Sequence, residues 1–354
     1  MSKRFLILFL FAQCALLSQK DSKFGVPYSY CNWTNTSLNK NYNPTLNDTC
    51  LLVVSTRNYD ESKHEFVDYD YDTTGTLKYF AVYYKGNNWT AVPYSSLAEL
   101  LNLKSSFENL VVFTEGLGKT FTSGVDRATK LMRTYGVDEI FFDWPTDRPY
   151  MKPGKNIKVT CYVAPKVAVP YVEFLEEFQT YKINHPEKFK VVTLFFHSMG
   201  NLLLMYDLQN NRFRNISPNL VNAVVLNAAC VNQTHHKEWL DKLTFTNHIY
   251  LTINDRDRNL RGASIIFGDH QLGERPKKEF CEKVAYVNFS EVLNKEHNYF
   301  LMTDVLQQKP FLKKFYNDIF KGEAPQLKFT DTSISPEVKK YLPGQSDTGI
   351  SNGM

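Results

Sequence analysis

The chain has 354 residues, of which 43% are hydrophobic and 14% aromatic, enough to build the core of one large domain with a central sheet. Its formal net charge is +4, and two of those charges, Lys3 and Arg4, lie in the first few residues. So small a charge argues against a nucleic-acid partner.

The first 19 residues are predicted to be a secretory signal peptide. Ser2-Lys3-Arg4 is a positively charged start, and residues 5–17 form an almost continuous apolar run that polar residues follow at once. The run is too short to span a bilayer comfortably. We therefore expect a secreted, periplasmic or cell-surface protein. Cys14 leaves a lipoprotein as the alternative, and membrane association is expected only if Cys14 is lipidated.

Residues 20–50 are predicted to be a polar N-terminal arm. Cys31 and Cys50 flank an Asn-rich stretch with little hydrophobic material to hold it, and an exported protein can form disulfides. Without Cys14 the cysteine count is odd, so at least one thiol lacks a partner. We expect Cys31 and Cys50 to pair. A main domain over 51–321 and a loosely ordered tail over 322–354 follow.

Strands and helices alternate along the main domain. Apolar or alternating runs predict strands at 51–56, 77–84, 109–114, 139–143, 191–196, 223–227, 248–253 and 284–289. Helices are predicted at 124–135, 169–181, 201–208 and 299–320, with loops over 60–72 and 146–158. This alternation predicts a mainly parallel central sheet with helices on both faces, an α/β fold.

One short segment of this series points to chemistry. His197-Ser198-Met199-Gly200 lies between the apolar run 191–196 and the helix predicted over 201–208. A strand, a sharp turn with a serine and then a helix is the arrangement that exposes a nucleophilic serine. The start of the helix also directs backbone N–H groups at the group that the serine attacks. Phe196 is a departure, because glycine is usual two residues before the serine.

The other polar candidates follow the later strands. In a parallel sheet, reactive groups gather at the carboxyl ends of the strands. The loop after 248–253 contains Asp255 and Asp257, and Glu296-His297 follows the last strand. The chain order is therefore serine, acid, histidine, as a hydrolase sheet requires. The order alone leaves both aspartates as candidates for the acid.

From about residue 51 to 320 the chain resembles the alpha/beta-hydrolase superfamily. In detail it is similar to a branch of uncharacterised hydrolases that share a His-Ser-Met-Gly-Asn turn and a Trp-Pro after the preceding strand. The matching segments in this chain are 197–201, Trp144-Pro145, Asp257-x-x-Leu260 with Gly262-Ala263, and Gln271-Leu272-Gly273. The resemblance implies an alpha/beta-hydrolase fold, and it implies Asp257 rather than Asp255 as the acid.

A serine-hydrolase mechanism follows for these residues. Ser198 would be the nucleophile, His297 the base that accepts its proton, and Asp257 the group that orients His297. The backbone N–H groups of Met199 and Leu117 would stabilise the oxyanion. We expect a carboxylic-ester hydrolase that acts on small-molecule or lipid esters and needs no cofactor and no metal.

Glu115 raises the alternative that this fold serves binding rather than catalysis. It precedes Gly116 at the position where the family usually has histidine. A carboxylate that pointed inward there would oppose a developing negative charge, so we expect it to point away. Together with Phe196, it keeps open a non-catalytic binding or interaction protein on the same fold.

Overall fold

The computed structural model describes residues 49–60, 65–85, 88–147, 153–326 and 338–340. The predicted signal peptide, Cys14 and Cys31 lie outside these ranges. Cys50, the expected partner of Cys31, carries a free thiol in this structure. Among the described residues, no helix has the length and apolar character needed to cross a membrane.

Most of the described strands belong to one large sheet. The strands are β1 (Thr49–Ser55), β2 (Arg57–Asp60), β3 (Glu65–Tyr71), β4 (Lys78–Lys85), β5 (Asn88–Tyr94), β6 (Phe107–Thr114), β7 (Asp138–Asp143), β8 (Phe189–His197), β9 (Ala223–Asn227), β10 (Ile249–Ile253), β11 (Val284–Asn288) and β12 (Val338–Lys340). Their order in the large sheet is β12-β11-β10-β9-β8-β6-β7-β1-β4-β5, and β2 pairs with β3 separately. Pairing is parallel from β12 to β1 and antiparallel from β1 to β5. The prediction of a mainly parallel sheet is confirmed.

Helices cover both faces of this sheet. They are α1 (Leu97–Leu101), α2 (Phe121–Tyr135), α3 (Pro153–Asn184), α4 (Asn201–Gln209), α5 (His236–Leu240), α6 (Arg258–Phe267), α7 (Thr303–Gln308) and α8 (Pro310–Phe320). Successive residues of β8 show the two layers, because side chains alternate along a strand. Phe195 packs against Phe320 of α8, and Phe196 against Tyr171 of α3.

The prediction of a loop over 60–72 is wrong, because strands β2 and β3 pair there in antiparallel fashion. Phe66 explains the difference: it is buried, its ring stacks on Phe121 with centroids 4.0 Å apart, and it meets Phe80 edge-on at 5.0 Å. Carboxylates alternate with aromatic residues in this segment, so its composition is typical of a polar loop. Packing against α2 and β4 supplies the apolar partner that the sequence alone does not show.

Two predicted helices have different ends. Helix α3 begins at Pro153 and so includes the last residues of the loop predicted over 146–158. Proline suits this position, because the backbone N–H of the first helical residue has no hydrogen-bond partner within the helix. The helix predicted over 299–320 is two helices, because Pro310 begins a second one. The predicted loose tail also contains one exception, β12, which extends the sheet beside β11.

Candidate active site

Ser198 lies in the turn between β8 and α4, at the carboxyl edge of the sheet. Its φ is +52°, in the left-handed region that residues other than glycine seldom adopt. Ser198–Gly200 form one turn of 3-10 helix that leads into α4. Asn201 holds this turn, because its Nδ2 donates to the carbonyl oxygens of Ser198 (2.9 Å) and Phe196 (3.3 Å). A buried, strained serine between a strand and a helix is typical of an enzyme nucleophile.

Two glycines let the loop after β6 approach this turn closely. A Cβ atom at Gly200 would lie 2.5 Å from the carbonyl oxygen of Thr114. A Cβ atom at Gly116 would lie 2.7 Å from Ser198 Cβ and 2.8 Å from Met199 N. These distances are far below ordinary van der Waals contact, so only glycine fits either position without a shift of the backbone.

Phe196 is compatible with this turn. Its side chain is fully buried and meets Tyr171 of α3, with ring centroids 5.5 Å apart. The bulky residue therefore fills the layer between the sheet and α3. The close approach is made instead by Gly200 and Gly116.

Asp257 and His297 are in direct contact. Asp257 caps α6, because its Oδ1 accepts from the N–H groups of Asn259 (2.8 Å) and Leu260 (3.1 Å). Its Oδ2 accepts from Nδ1–H of His297 at 2.6 Å. With Nδ1 as the protonated nitrogen, Nε2 of His297 is left as the proton acceptor. Both side chains are buried, which shields the pair from bulk water.

Asp255 has a different environment. Its side chain is 33% exposed and lies 3.9 Å from the Arg275 guanidinium. None of its contacts within the described part of the chain involves His297. Of the two candidate acids, the structure therefore brings only Asp257 to the histidine.

Asn254 ties the acid loop to the histidine loop. Its Nδ2 donates to the carbonyl oxygen of Glu296 at 3.0 Å, directly before His297, and its Oδ1 accepts from the N–H of Arg256 at 3.1 Å. Asn254 is fully buried. These hydrogen bonds fix the spacing between the loops that follow β10 and β11.

Ser198 and His297 lie on neighbouring loops at the same edge. The ring of His197, the residue before the serine, is 4.7 Å from the ring of His297. No hydrogen bond joins Ser198 Oγ to His297 among the residues described. Such hydrogen bonds are often long in a protein without substrate and tighten in the substrate complex.

The backbone N–H groups of the loop after β6 differ in whether they have an acceptor. The N–H of Gly116 donates to a side-chain carboxylate at 2.8 Å, and that of Gly118 donates to the carbonyl oxygen of Thr146 at 3.1 Å. The N–H of Leu117, between them, meets no acceptor in the described ranges. The N–H of Met199 begins a helical turn, where N–H groups lack a partner within the helix.

A family comparison covers this whole arrangement. The model of the family described as "alpha/beta hydrolase of unknown function (DUF900)" matches residues 95–309, well over half of the chain. The chain belongs to this family. A search of curated proteins returned no match. The matched range of this alpha/beta hydrolase contains Ser198, Asp257 and His297, while strands β1 to β5 precede it.

The carboxylate of Glu115 in this alpha/beta hydrolase points inward, contrary to the expectation that it would point away. It is 3% exposed, its Oε1 accepts from Gly116 N–H at 2.8 Å, and its Oε2 binds Nε of Arg127. Burial alone would raise its pKa, but the opposing interactions, led by the Arg127 charge, lower the pKa to about 2. The carboxylate is therefore ionised, and Arg127 balances its charge.

His197 is excluded as a base by its own hydrogen bonds. Its Nδ1 accepts from Asn227 Nδ2 at 3.0 Å, so Nε2 carries the proton and donates to Asn298 Oδ1 at 3.1 Å. Burial lowers the pKa of His197 well below its ordinary value, although Glu115 opposes the shift. The ring is therefore neutral, and both of its nitrogens are occupied.

Sequence reasoning missed the residues that support the site. Arg127 lies in an amphipathic helix, where an arginine is usually read as a solvent-facing residue. Asn254 and Asn298 are each close in sequence to a triad candidate. That closeness, in loops at the carboxyl edge of the sheet, is the signal that could have found them.

Proposed function

We propose that this alpha/beta hydrolase is an exported serine hydrolase that cleaves carboxylic esters through an acyl-enzyme, with small-molecule or lipid esters as substrates. The observation that carries the proposal is the 2.6 Å hydrogen bond between Asp257 and His297. It lies at the sheet edge where Ser198 occupies its strained turn. The contact joins the loops after β10 and β11, and the chain order is serine, acid, histidine, as in serine hydrolases on this type of sheet.

The first half of the reaction uses the free nitrogen of His297. Nε2 takes the proton from Ser198 Oγ as that oxygen attacks the ester carbonyl carbon. Asp257 holds the ring and stabilises the imidazolium that forms. The imidazolium then gives its proton to the leaving alkoxide, and the C–O bond to the alcohol breaks. Ser198 is left as an ester of the acyl group.

The second half reverses these roles with water. Nε2 takes a proton from a water molecule, whose oxygen attacks the acyl carbon. The proton then passes to Ser198 Oγ as the acyl-enzyme bond breaks and the carboxylic acid leaves. Each attack places negative charge on the carbonyl oxygen, and the N–H groups of Leu117 and Met199 would stabilise this oxyanion by hydrogen bonding.

The balanced charge of Glu115 favours catalysis over the non-catalytic alternative. A lone carboxylate beside the loop after β6 would oppose the oxyanion. Because Arg127 binds it, the pair adds little net charge at the distance of the reacting oxygen.

A fluorophosphonate probe tests this proposal, because it labels only an activated serine. We expect labelling of the wild type and none of Ser198→Ala. Asp257→Asn should label far more slowly, whereas Asp255→Asn, the matched control, should label at close to the wild-type rate. An unlabelled wild type, or labelling that survives Ser198→Ala, would favour a binding protein. A set of nitrophenyl esters of different acyl length would then give the substrate range.

Export is a separate part of the proposal and has its own test. The charged start and apolar run of residues 1–19 support removal of a leader. Mass spectrometry of the mature protein should show a new N-terminus near residue 19 or 20. An intact Met1, or an acyl group on Cys14, would overturn the assignment to a soluble exported protein.

A further inference from the structure

A chain of buried and partly buried polar contacts joins the loops of the site without including any member of the proposed triad. Arg127, on α2, is at its centre. Its Nε binds the carboxylate of Glu115 on the loop after β6, and its Nη2 donates to Asn298 Oδ1 at 2.9 Å. Asn298 is the residue after His297. Arg127 and Glu115 are only 5% and 3% exposed, so solvent does not screen the pair.

Helix α2 holds the histidine loop at a second point. The hydroxyl of Tyr135 donates to the carbonyl oxygen of Phe300 at 2.6 Å. The guanidinium of Arg127 also lies 5.8 Å from the centre of the Phe300 ring, within the range of a cation–π contact. The loop that carries His297 is therefore fastened to the helix that directly follows the oxyanion loop.

The serine turn joins the same chain of contacts through His197. Its Nε2–H shares the acceptor Asn298 Oδ1 with Arg127, and its ring lies against that of His297. Because His197 is neutral, it does not repel a protonated His297. The other ring nitrogen of His197 accepts from Asn227, and Asn227 Oδ1 accepts from the hydroxyl of Tyr316 at 2.5 Å. The chain of contacts therefore extends to α8.

We infer that Arg127 is a positioning residue that fastens the loop bearing the Leu117 N–H to the loop bearing His297. The two loops belong to different ends of the sequence, and Arg127 binds both. The N–H donor and the base would thereby keep a fixed geometry around Ser198. The inference rests on the proposed function, and it gives Glu115 the role of the counter-ion that lets a buried arginine remain charged.

Stability and activity must be separated to test it. Arg127→Met leaves the buried carboxylate of Glu115 without its cation and should lower the Tm strongly. The double variant Glu115→Gln with Arg127→Met removes both charges, so its Tm should return toward that of the wild type. A merely structural pair predicts that activity returns with stability. A positioning role predicts that the rate of fluorophosphonate labelling stays at least tenfold low.

Two further variants and a matched control sharpen the comparison. Asn298→Ala keeps the Arg127–Glu115 ion pair but removes the acceptor that Arg127 shares with His197, so labelling should slow and the Tm should fall less than in Arg127→Met. Arg127→Lys keeps the cation but cannot reach both loops with a planar fork, and should restore the Tm more than the rate. With an ester substrate, the losses should appear in kcat rather than in KM. Arg212→Met is the matched control, because it breaks a pair with the buried Asp207 at the far end of α4 and should leave the rate unchanged.

Amide hydrogen exchange gives a readout that does not depend on activity. In the double variant, exchange should accelerate in residues 115–119 and 296–301, although global stability has returned. A double variant with a labelling rate within twofold of the wild type, or with unchanged exchange in both segments, would overturn the inference. An unlabelled wild type would instead refute the proposed function, and the exchange result would still decide whether Arg127 fastens the two loops.

Discussion

Replacing Gly116 by alanine should remove most of the activity while leaving the fold intact. The added Cβ would lie 2.7 Å from Ser198 Cβ, 2.8 Å from Met199 N and 3.0 Å from the carbonyl oxygen of His197. Two of these three atoms are backbone, so no flexible side chain can move aside. Gly116 has no positive φ, so the effect is steric and not a matter of backbone conformation.

The expected size follows from what the methyl group displaces. It would occupy the space in front of the Met199 N–H and push the loop of Leu117 away from the serine. Losing one oxyanion donor costs roughly 3 kcal/mol of barrier, on the order of 10²–10³-fold in kcat. Overpacking of this kind costs about 1–3 kcal/mol of folding stability, so the protein should still fold.

Steady-state kinetics on a nitrophenyl ester, together with a thermal unfolding scan, measure both effects. Gly262→Ala is the matched control, because a Cβ at Gly262 in α6 meets nothing within 4 Å. It should keep the wild-type kcat and gain up to about 1 kcal/mol of stability from helix propensity. A wild-type kcat for Gly116→Ala would refute the assignment of this loop to the oxyanion hole.

Three further outcomes follow from the same site. Asp257→Asn should lower kcat on the order of 10⁴-fold because it favours the wrong tautomer of His297, and Asp255→Asn should change it little; equal losses in kinetic assays would contradict the choice of acid. Ser198→Ala and His297→Ala should each cost on the order of 10⁴-fold or more, and the double variant little beyond either, whereas additive losses would show that the two do not act as a unit. The pKa of Glu115 is lowered from 4.5 to about 2. Its contribution to stability is therefore complete above pH 4.5 and is lost as the pH falls toward 2. Between those pH values, the free energy of unfolding measured with urea should decline less for Glu115→Gln than for the wild type.

The parallel strands were the easiest part of this fold to predict. Strand β9 was predicted with the bounds that the structure shows, and β8 within two residues at each end. Both are buried on each face, so they appear in the sequence as unbroken apolar runs. Chain order then pointed to His297 and to Asp255 or Asp257 in the loops after β10 and β11, and the family resemblance favoured Asp257 of the two.

Elements whose apolar partner lies far away in sequence were harder to predict. The hairpin of β2 and β3 was missed because its aromatic residues alternate with carboxylates. Its burial depends on α2, some fifty residues later in the chain. Short helices such as α1 and α5 carry too few residues for a helical period to appear, and tertiary packing stabilises them instead.

The contacts around the candidate triad show why its members could be proposed from the sequence more readily than the residues that surround them. A triad has a fixed chain order, but Arg127 and Asn298 are 171 positions apart, and no local pattern relates them. The charge of Glu115 does carry information, however. A carboxylate next to a fully buried loop glycine must either avoid the interior or find a cation there. The cation lies twelve residues further on, at the second turn of the helix that the same loop begins. An unexpected charge beside a predicted active site is therefore a reason to search the following helix for its partner.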